Sequence, residues 1–169
     1  QLVNGREITR KTVQDADVLI TRSVTKVNKS LLHNSKVKFV GTATIGTDHV
    51  DSDYLESQGI YFTNAPGCNS SSVAEYVFAG LSHLSEKDDF LLKDKSIGIV
   101  GIGNIGSKVL KFSQALGMKT MINDPPLERN GFIADFSSLE EVLKCDIVTL
   151  HVPLNKGGID NTFHLIGKN

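Results

Sequence analysis

Three glycines carry the strongest chemical signal in the chain. In Ser96-Ile97-Gly98-Ile99-Val100-Gly101-Ile102-Gly103-Asn104-Ile105-Gly106 they stand at Gly101, Gly103 and Gly106, the spacing at which backbone rather than side chains meets a diphosphate. Gly101 allows a tight turn off a strand, Gly103 lets backbone approach a ligand closely, and Gly106 lets a helix lie against the strand. Asn104, Ile105 and Gly106 would open that helix, turning unpaired N–H groups and a positive dipole end toward phosphate oxygens. Asp124 follows about 18 residues after Gly106, near the roughly 20 at which an acid accepts hydrogen bonds from ribose hydroxyls. A carboxylate there repels a 2′-phosphate, so the expected cofactor is NAD and not NADP. Arg129 stands against this, because a nearby guanidinium can bind that phosphate; Pro125 and Pro126 are expected to aim its loop elsewhere. A glycine triplet alone is weak, and a structural turn beside a solvated aspartate is the bland alternative. Here the triplet has a strand before it, a helix after it and a second strand beyond.

A second set of groups suits a doubly anionic small molecule. Arg22 supplies a guanidinium that can grip carboxylate or phosphate with two hydrogen bonds. Ser23, Thr25, Thr42, Thr44 and Thr47 add hydroxyls, and Gly41 and Gly46 bring accessible N–H groups for an anion-binding nest. Each single hydroxyl can equally serve a local turn or cap. His49 reads as a hydrogen-bonded loop histidine rather than a pocket residue, and His33, His83 and His164 as structural or exposed.

Alternating strand and helix signals are what would position these groups. Strands are expected at Asp17 to Thr21, Val37 to Gly41 and Ile60 to Thr63, with helices near Lys29 to His33 and from Ser52 to Gln58. Asp51 caps the latter and Gly59 ends it. A long helix should run from Ser72 to Phe90, with apolar residues on more than one face. Its second partner is either another domain of the chain or another subunit, and Glu86 to Asp89 form its solvated end. Beyond it come a strand at Ser96 to Val100, a helix from Asn104 to Leu116 ended by Gly117, and a strand at Lys119 to Asn123. A short third strand is expected at Ile133 to Phe136. A capping box of Ser138 and Glu141 opens a helix to Lys144, and Asp146 to His151 forms a strand ended by Pro153. In the strand order 3-2-1-4-5-6 this last strand lies beside the first at the switch point, so His151, Val152 and Pro153 should approach the cofactor. His151 lacks an evident carboxylate partner and is not read as a catalytic base. The expected fold is α/β: the first half of a Rossmann-type doubly wound parallel sheet, residues 93–169, binding NAD. A smaller flavodoxin-like α/β substrate domain, residues 1–92, precedes it and includes the long linking helix.

Composition narrows the classes of function. With 18 Lys plus Arg against 19 Asp plus Glu, a net charge of −1, 40% hydrophobic and 22% charged residues, the chain is an ordinary globular one. It lacks the basic excess of a nucleic-acid or membrane-surface binder. Cys68 and Cys145 fit no metal spacing, so no metal is expected. Cys68 precedes a helix start, where a thiolate is favoured, but a small packed residue is the plainer reading. No leader opens the sequence, and reduced cysteines in a cytoplasm are expected. Gln1 and Asn169 both look like cut ends.

Ile97 to Gly106, Asp124-Pro125-Pro126 and Asp146 to Pro153 together resemble the D-isomer-specific 2-hydroxyacid dehydrogenase family. Arg22 to Asn28, Gly41 to Asp51 and Ala65 to Asn69 resemble a branch of it that acts on a phosphorylated 2-hydroxy acid. The resemblance implies NAD as cofactor, a cytoplasmic homodimer, and substrate contacts from Arg22, Ser23 and Thr44. It also implies that the family's catalytic arginine, glutamate and histidine lie beyond the matching last strand, so that no catalytic residue is expected in this chain. Another 2-hydroxyacid dehydrogenase, acting on 3-phosphoglycerate, glycerate or lactate, and a non-catalytic NAD-sensing protein of the same fold are the alternatives.

Overall fold

The computed structural model describes residues 2–167. Two compact units divide between Cys68 and Asn69, and each is built on a three-stranded parallel sheet.

The first unit runs α1 (Arg10–Val13), β1 (Val18–Thr21), α2 (Lys29–Leu32), β2 (Phe39–Thr42), α3 (Ser52–Ser57) and β3 (Tyr61–Thr63). Its strands lie in the order β1-β2-β3, with Thr21 opposite Thr42 and Gly41 opposite Thr63. Short helices this small are held by their ends and by burial rather than by propensity. The Asn28 side chain accepts from the Leu31 N–H at the start of α2 (3.2 Å), and Asp51 accepts from the Tyr54 N–H at the start of α3 (3.0 Å). Gly59 follows α3 with φ 65°. Val27, Leu32, Val40 and Leu55 are the most enclosed members of one apolar core that also takes in Val13, Leu19, Leu31, Val37 and Val50. Strand β1 alternates as a half-buried strand must. Leu19 and Thr21 point inward, while Val18 and Ile20 are 55% and 61% exposed.

The second unit contains α4 (Ser70–Lys87), a 3₁₀ turn (Leu92–Asp94), β4 (Ser96–Val100), α5 (Gly106–Ala115), β5 (Lys119–Asn123), α6 (Pro125–Arg129), α7 (Leu139–Val142) and β6 (Ile147–Leu150). The order β5-β4-β6 puts the glycine-bearing strand in the middle, and Ile97 to Val100 are accordingly buried. This is a Rossmann-type parallel α/β arrangement, with the chain reversing its direction of travel across the sheet between β5 and β6. Helix α4 sits on this unit. Ala74 and Leu81 share a core cluster with Ile97, Ile99 and Val109, and Phe78 meets Phe112 edge to face at 5.6 Å. By its packing the helix therefore groups with the second sheet, whereas the sequence alone suggested a division near residue 93. Its other side leaves Tyr76 81% and Leu84 44% exposed.

Two expected elements differ. Ile133 to Phe136 is not a strand: only Phe136 makes a bridge, parallel to Ile122, and Ile133 is 98% exposed. Gly131, at φ 81°, turns the chain just before it, leaving one residue in register with β5. Pro125 and Pro126 do not form a loop but start α6, where proline's missing N–H costs nothing. Among the described residues no helix is long and apolar enough to cross a membrane.

The start of β6 is fastened to the start of β4 by a reciprocal clasp. Asp146 accepts from the Ser96 N–H (2.8 Å) and hydroxyl (2.6 Å), and the Asp146 N–H donates to Ser96 Oγ (2.9 Å). The Ser96 hydroxyl and N–H hold the Asp146 carboxyl below its ordinary value of 3.8. Removing the hydroxyl in Ser96→Ala should raise that value toward the ordinary one, measured by NMR titration of the carboxyl carbon. Because the shift is downward, the stability it contributes is present above pH 3.8 and fades as pH falls below it. The wild-type advantage over the variant in denaturation midpoints should shrink in that range.

Candidate functional site: a glycine turn closed by an aspartate

The glycine turn and the tip of β5 are joined by one side chain. Asp124 Oδ2 accepts from the Ile102 N–H at 2.7 Å, and Asp124 Oδ1 accepts from the Leu127 N–H at 3.0 Å, capping α6. Each carboxylate oxygen retains acceptor capacity, and Asp124 is only half-buried. The turn itself is shaped for glycine. Gly101 has φ 87°, and a Cβ at Gly106 would lie 1.9 Å from the Gly101 carbonyl oxygen. Around Gly103 the reverse holds, with nothing within 4 Å of where its Cβ would be. The N–H groups of Gly103, Asn104 and Ile105 have no protein acceptor among the described residues. They face outward at the start of α5, as donors awaiting an anion would.

A groove of about 880 Å³ opens beside this turn. Gly101 and Gly103 line one side, Asp124 and Pro125 another, and His151, Val152 and Pro153 a third. All three groups come from the C-terminal ends of adjacent strands, as the parallel register requires. His151 continues β6 by donating its N–H to the Val100 carbonyl at 2.8 Å, and its Nε2 pairs with Thr149 Oγ1 at 3.0 Å. Burial lowers its pKa below the ordinary 6.5, so it is neutral at physiological pH. Its ring partner is a hydroxyl rather than a carboxylate.

The groove has members that sequence reasoning missed. Glu128 follows from α6, and Asn155, Asp160 and Thr162 come from the segment after Pro153. That segment has no periodicity to read, yet it folds on itself. Asn155 N–H donates to Thr162 Oγ1 (2.8 Å), Thr162 N–H donates to the Asn155 carbonyl (2.9 Å), and Asn155 Nδ2 donates to the Asp160 carbonyl (3.1 Å). Asp160 also pairs with Arg129, and no motif or spacing in the sequence pointed to any of these residues.

In the first unit, Arg22 and Ser23 follow the end of β1 and are exposed, while Thr44 follows the neighbouring end of β2. The Thr44 hydroxyl donates to the Gly46 carbonyl (2.8 Å), and Thr42 Oγ1 lies 2.8 Å from Thr44 Oγ1 and 3.0 Å from His49 Nε2. With one proton on each hydroxyl, the chain runs one way: His49 Nε2–H to Thr42, Thr42 to Thr44, Thr44 to the carbonyl. Asn64 Nδ2 donates to the Ile45 carbonyl (2.8 Å) and the Ala65 N–H to the Thr44 carbonyl (3.1 Å), which ties the end of β3 to the same loop. Two of the expected anion contacts are structural instead. The Thr25 hydroxyl is buried and donates to the Gly5 carbonyl (2.8 Å), and Gly41 is buried against Ile20 within the sheet.

A Rossmann-type sheet whose glycine turn is closed onto an acid at the next strand's tip defines the nucleotide-binding α/β class. Within it, the chain belongs to the D-isomer specific 2-hydroxyacid dehydrogenase family, whose catalytic-domain profile matches residues 3–152. It is 50% identical over 167 residues to the erythronate-4-phosphate dehydrogenases of Shewanella halifaxensis and Serratia proteamaculans, covering 98% of this chain and 44% and 45% of those proteins. The chain thus spans less than half the length of the curated relatives it matches. Among solved structures, it is similar to an NAD⁺-bound 3-phosphoglycerate dehydrogenase of Entamoeba histolytica, at 29% identity and a TM-score of 0.74. That match covers 91% of this chain and 52% of the other. A D-lactate dehydrogenase of Aquifex aeolicus complexed with NAD and lactic acid matches at 28% identity and a TM-score of 0.69, over 89% of this chain and 52% of that one.

The environment of His151 makes a pH prediction. Its folded-state pKa is lowered, so the unfolded chain takes up the proton first and stability falls as pH drops through 6.5. Urea midpoints measured at about pH 7.5 and about pH 5.5 should fall further for the wild type than for His151→Gln, which cannot titrate.

Proposed function

We propose that the protein carrying this chain oxidises 4-phospho-D-erythronate to its 2-oxo acid with NAD, in the biosynthesis of pyridoxal 5′-phosphate. The observation that carries the cofactor half is the Asp124 carboxylate fixed at 2.7 Å from the Ile102 N–H. It brings the acid to the rim of a turn that a side chain would fill. The residues present fit NAD. The free N–H groups of Gly103, Asn104 and Ile105, with Gly106 letting the helix start close behind, would hold the diphosphate. The unused lone pairs of Asp124 would accept from the adenosine ribose hydroxyls, and Pro125 shapes that end by fixing the start of α6. His151, Val152 and Pro153 flank the opposite wall.

The substrate half is supported by the likeness to the phospho-sugar-acid dehydrogenases above and by the chemistry of the first unit. Arg22 and Ser23 offer a guanidinium and a hydroxyl with no internal partners among the described residues, and Thr44 is held in place by the hydroxyl relay from His49. NAD, when bound, supplies the hydride acceptor. This chain's residues bind and orient, and the acid–base step is assigned to none of them. A neutral His151 with a hydroxyl partner is not poised for that work. We further propose a cytoplasmic homodimer, to which the exposed Tyr76 and Leu84 of α4 offer an apolar surface.

With the full-length protein, NAD-dependent turnover of 4-phospho-D-erythronate should exceed that of 3-phosphoglycerate, glycerate and lactate by at least about tenfold in kcat/KM. Comparable turnover of an unphosphorylated acid would overturn the substrate assignment. Asp124→Ala should weaken NAD binding about 10- to 100-fold, as expected for losing charge-assisted hydrogen bonds to the ribose; isothermal titration calorimetry reads this directly.

A further inference from the structure

Arg129 ends the short helix that starts at the ribose-side acid, and a guanidinium at such a place is what a 2′-phosphate needs. It is already engaged. Arg129 Nη2 pairs with Asp160 Oδ1, joining the last residue of α6 to the self-bonded turn after Pro153. Asp160 is presented by that turn rather than by chance: Asn155 Nδ2 holds its carbonyl, and the Asn155 and Thr162 backbones hold each other. Asp160 lines the same groove as Asp124 and Glu128, and no Lys or Arg lines it among the described residues.

We propose that Asp160 is a cofactor-specificity residue, acting by sequestering Arg129. The inference rests on the reading of the groove as a dinucleotide site and goes beyond it. Discrimination against a 2′-phosphate is shared by two acids from different parts of the chain. Asp124 binds the ribose, and Asp160 is a positioning residue that acts through Arg129. With Asp160 neutralised, the guanidinium gains the freedom to turn toward a phosphate and pair with it in the two-pronged way arginine favours. A structural loosening of the turn would instead weaken NADH and NADPH alike.

The test uses the full-length protein and calorimetric dissociation constants for NADH and NADPH. In Asp160→Asn the ratio of the NADPH constant to the NADH constant should fall by about tenfold, the size of one charge-assisted contact. Asp160→Glu should hold the wild-type ratio, and adding Arg129→Ala to Asp160→Asn should abolish the gain. Asp160→Ser serves as the second neutral variant should the asparagine protein fail to fold. An unchanged ratio in the neutral variants, or a gain that survives without Arg129, overturns the proposal while leaving the cofactor site intact. A wild-type protein that binds neither nucleotide overturns the cofactor reading itself, and this inference with it.

Discussion

A single carboxylate organises the nucleotide-binding half of this molecule. Asp124 accepts from the Ile102 N–H of the glycine turn and from the Leu127 N–H of the helix that follows β5. The last backbone hydrogen bond between the two adjacent parallel strands runs from the Gly101 N–H to the Asn123 carbonyl (2.8 Å). The acid bridges them just past that limit. In doing so it satisfies part-buried donors and caps a helix of only five residues that could not stand by propensity. The same atom group then keeps lone pairs free toward the groove.

The parallel order β5-β4-β6 explains why the groove lies where it does. The strand between the other two ends in the glycine turn, and its neighbours lead the chain away on opposite sides. A crevice therefore opens at their C-terminal ends, and His151 to Pro153 form its far wall. The absence of side chains in the turn has two different reasons. At Gly106 a Cβ would collide with the Gly101 carbonyl, so the helix could not start where it does. At Gly103 the space is open, and a side chain would be tolerated by the fold but would stand between backbone N–H groups and an anion. Packing requires the first glycine and not the second.

The first unit shows polar groups divided between structure and recognition by small differences in position. Thr25 and Thr42 are buried, their hydroxyls satisfied inside the protein, while Ser23 and Arg22, two or three residues away from Thr25, are exposed. Thr44 is intermediate. Its proton is committed to the Gly46 carbonyl, its lone pairs receive Thr42, and one face remains accessible. A loop held by this one-way relay and by Asn64 from the next strand is stiffer than its glycine content implies. That stiffness suits the orientation of a small charged ligand.

Much of this was legible in the residues. Short apolar runs located β1, β2 and β3, the Gly101 to Gly106 run located β4 and α5, and Asp51, Ser138 and Glu141 marked helix starts, because these are short-range effects of steric fit and capping. The nucleotide groove was legible for the same reason: its turn needs glycine, and its acid must stand at a fixed distance along a strand–helix–strand unit. What only the tertiary structure decided involves contacts between segments with no local pattern. The side of the chain's division on which α4 sits depends on whether Ala74, Phe78 and Leu81 find a better partner, and they find Ile97, Ile99 and Phe112. The reduction of Ile133 to Phe136 to a single bridge depends on a turn at Gly131. The pairing of Arg129 with Asp160 joins residues 31 apart through a loop whose only order is its own hydrogen bonds. Periodicity records what a residue's neighbours along the chain require, and it carries no trace of a partner brought close by folding.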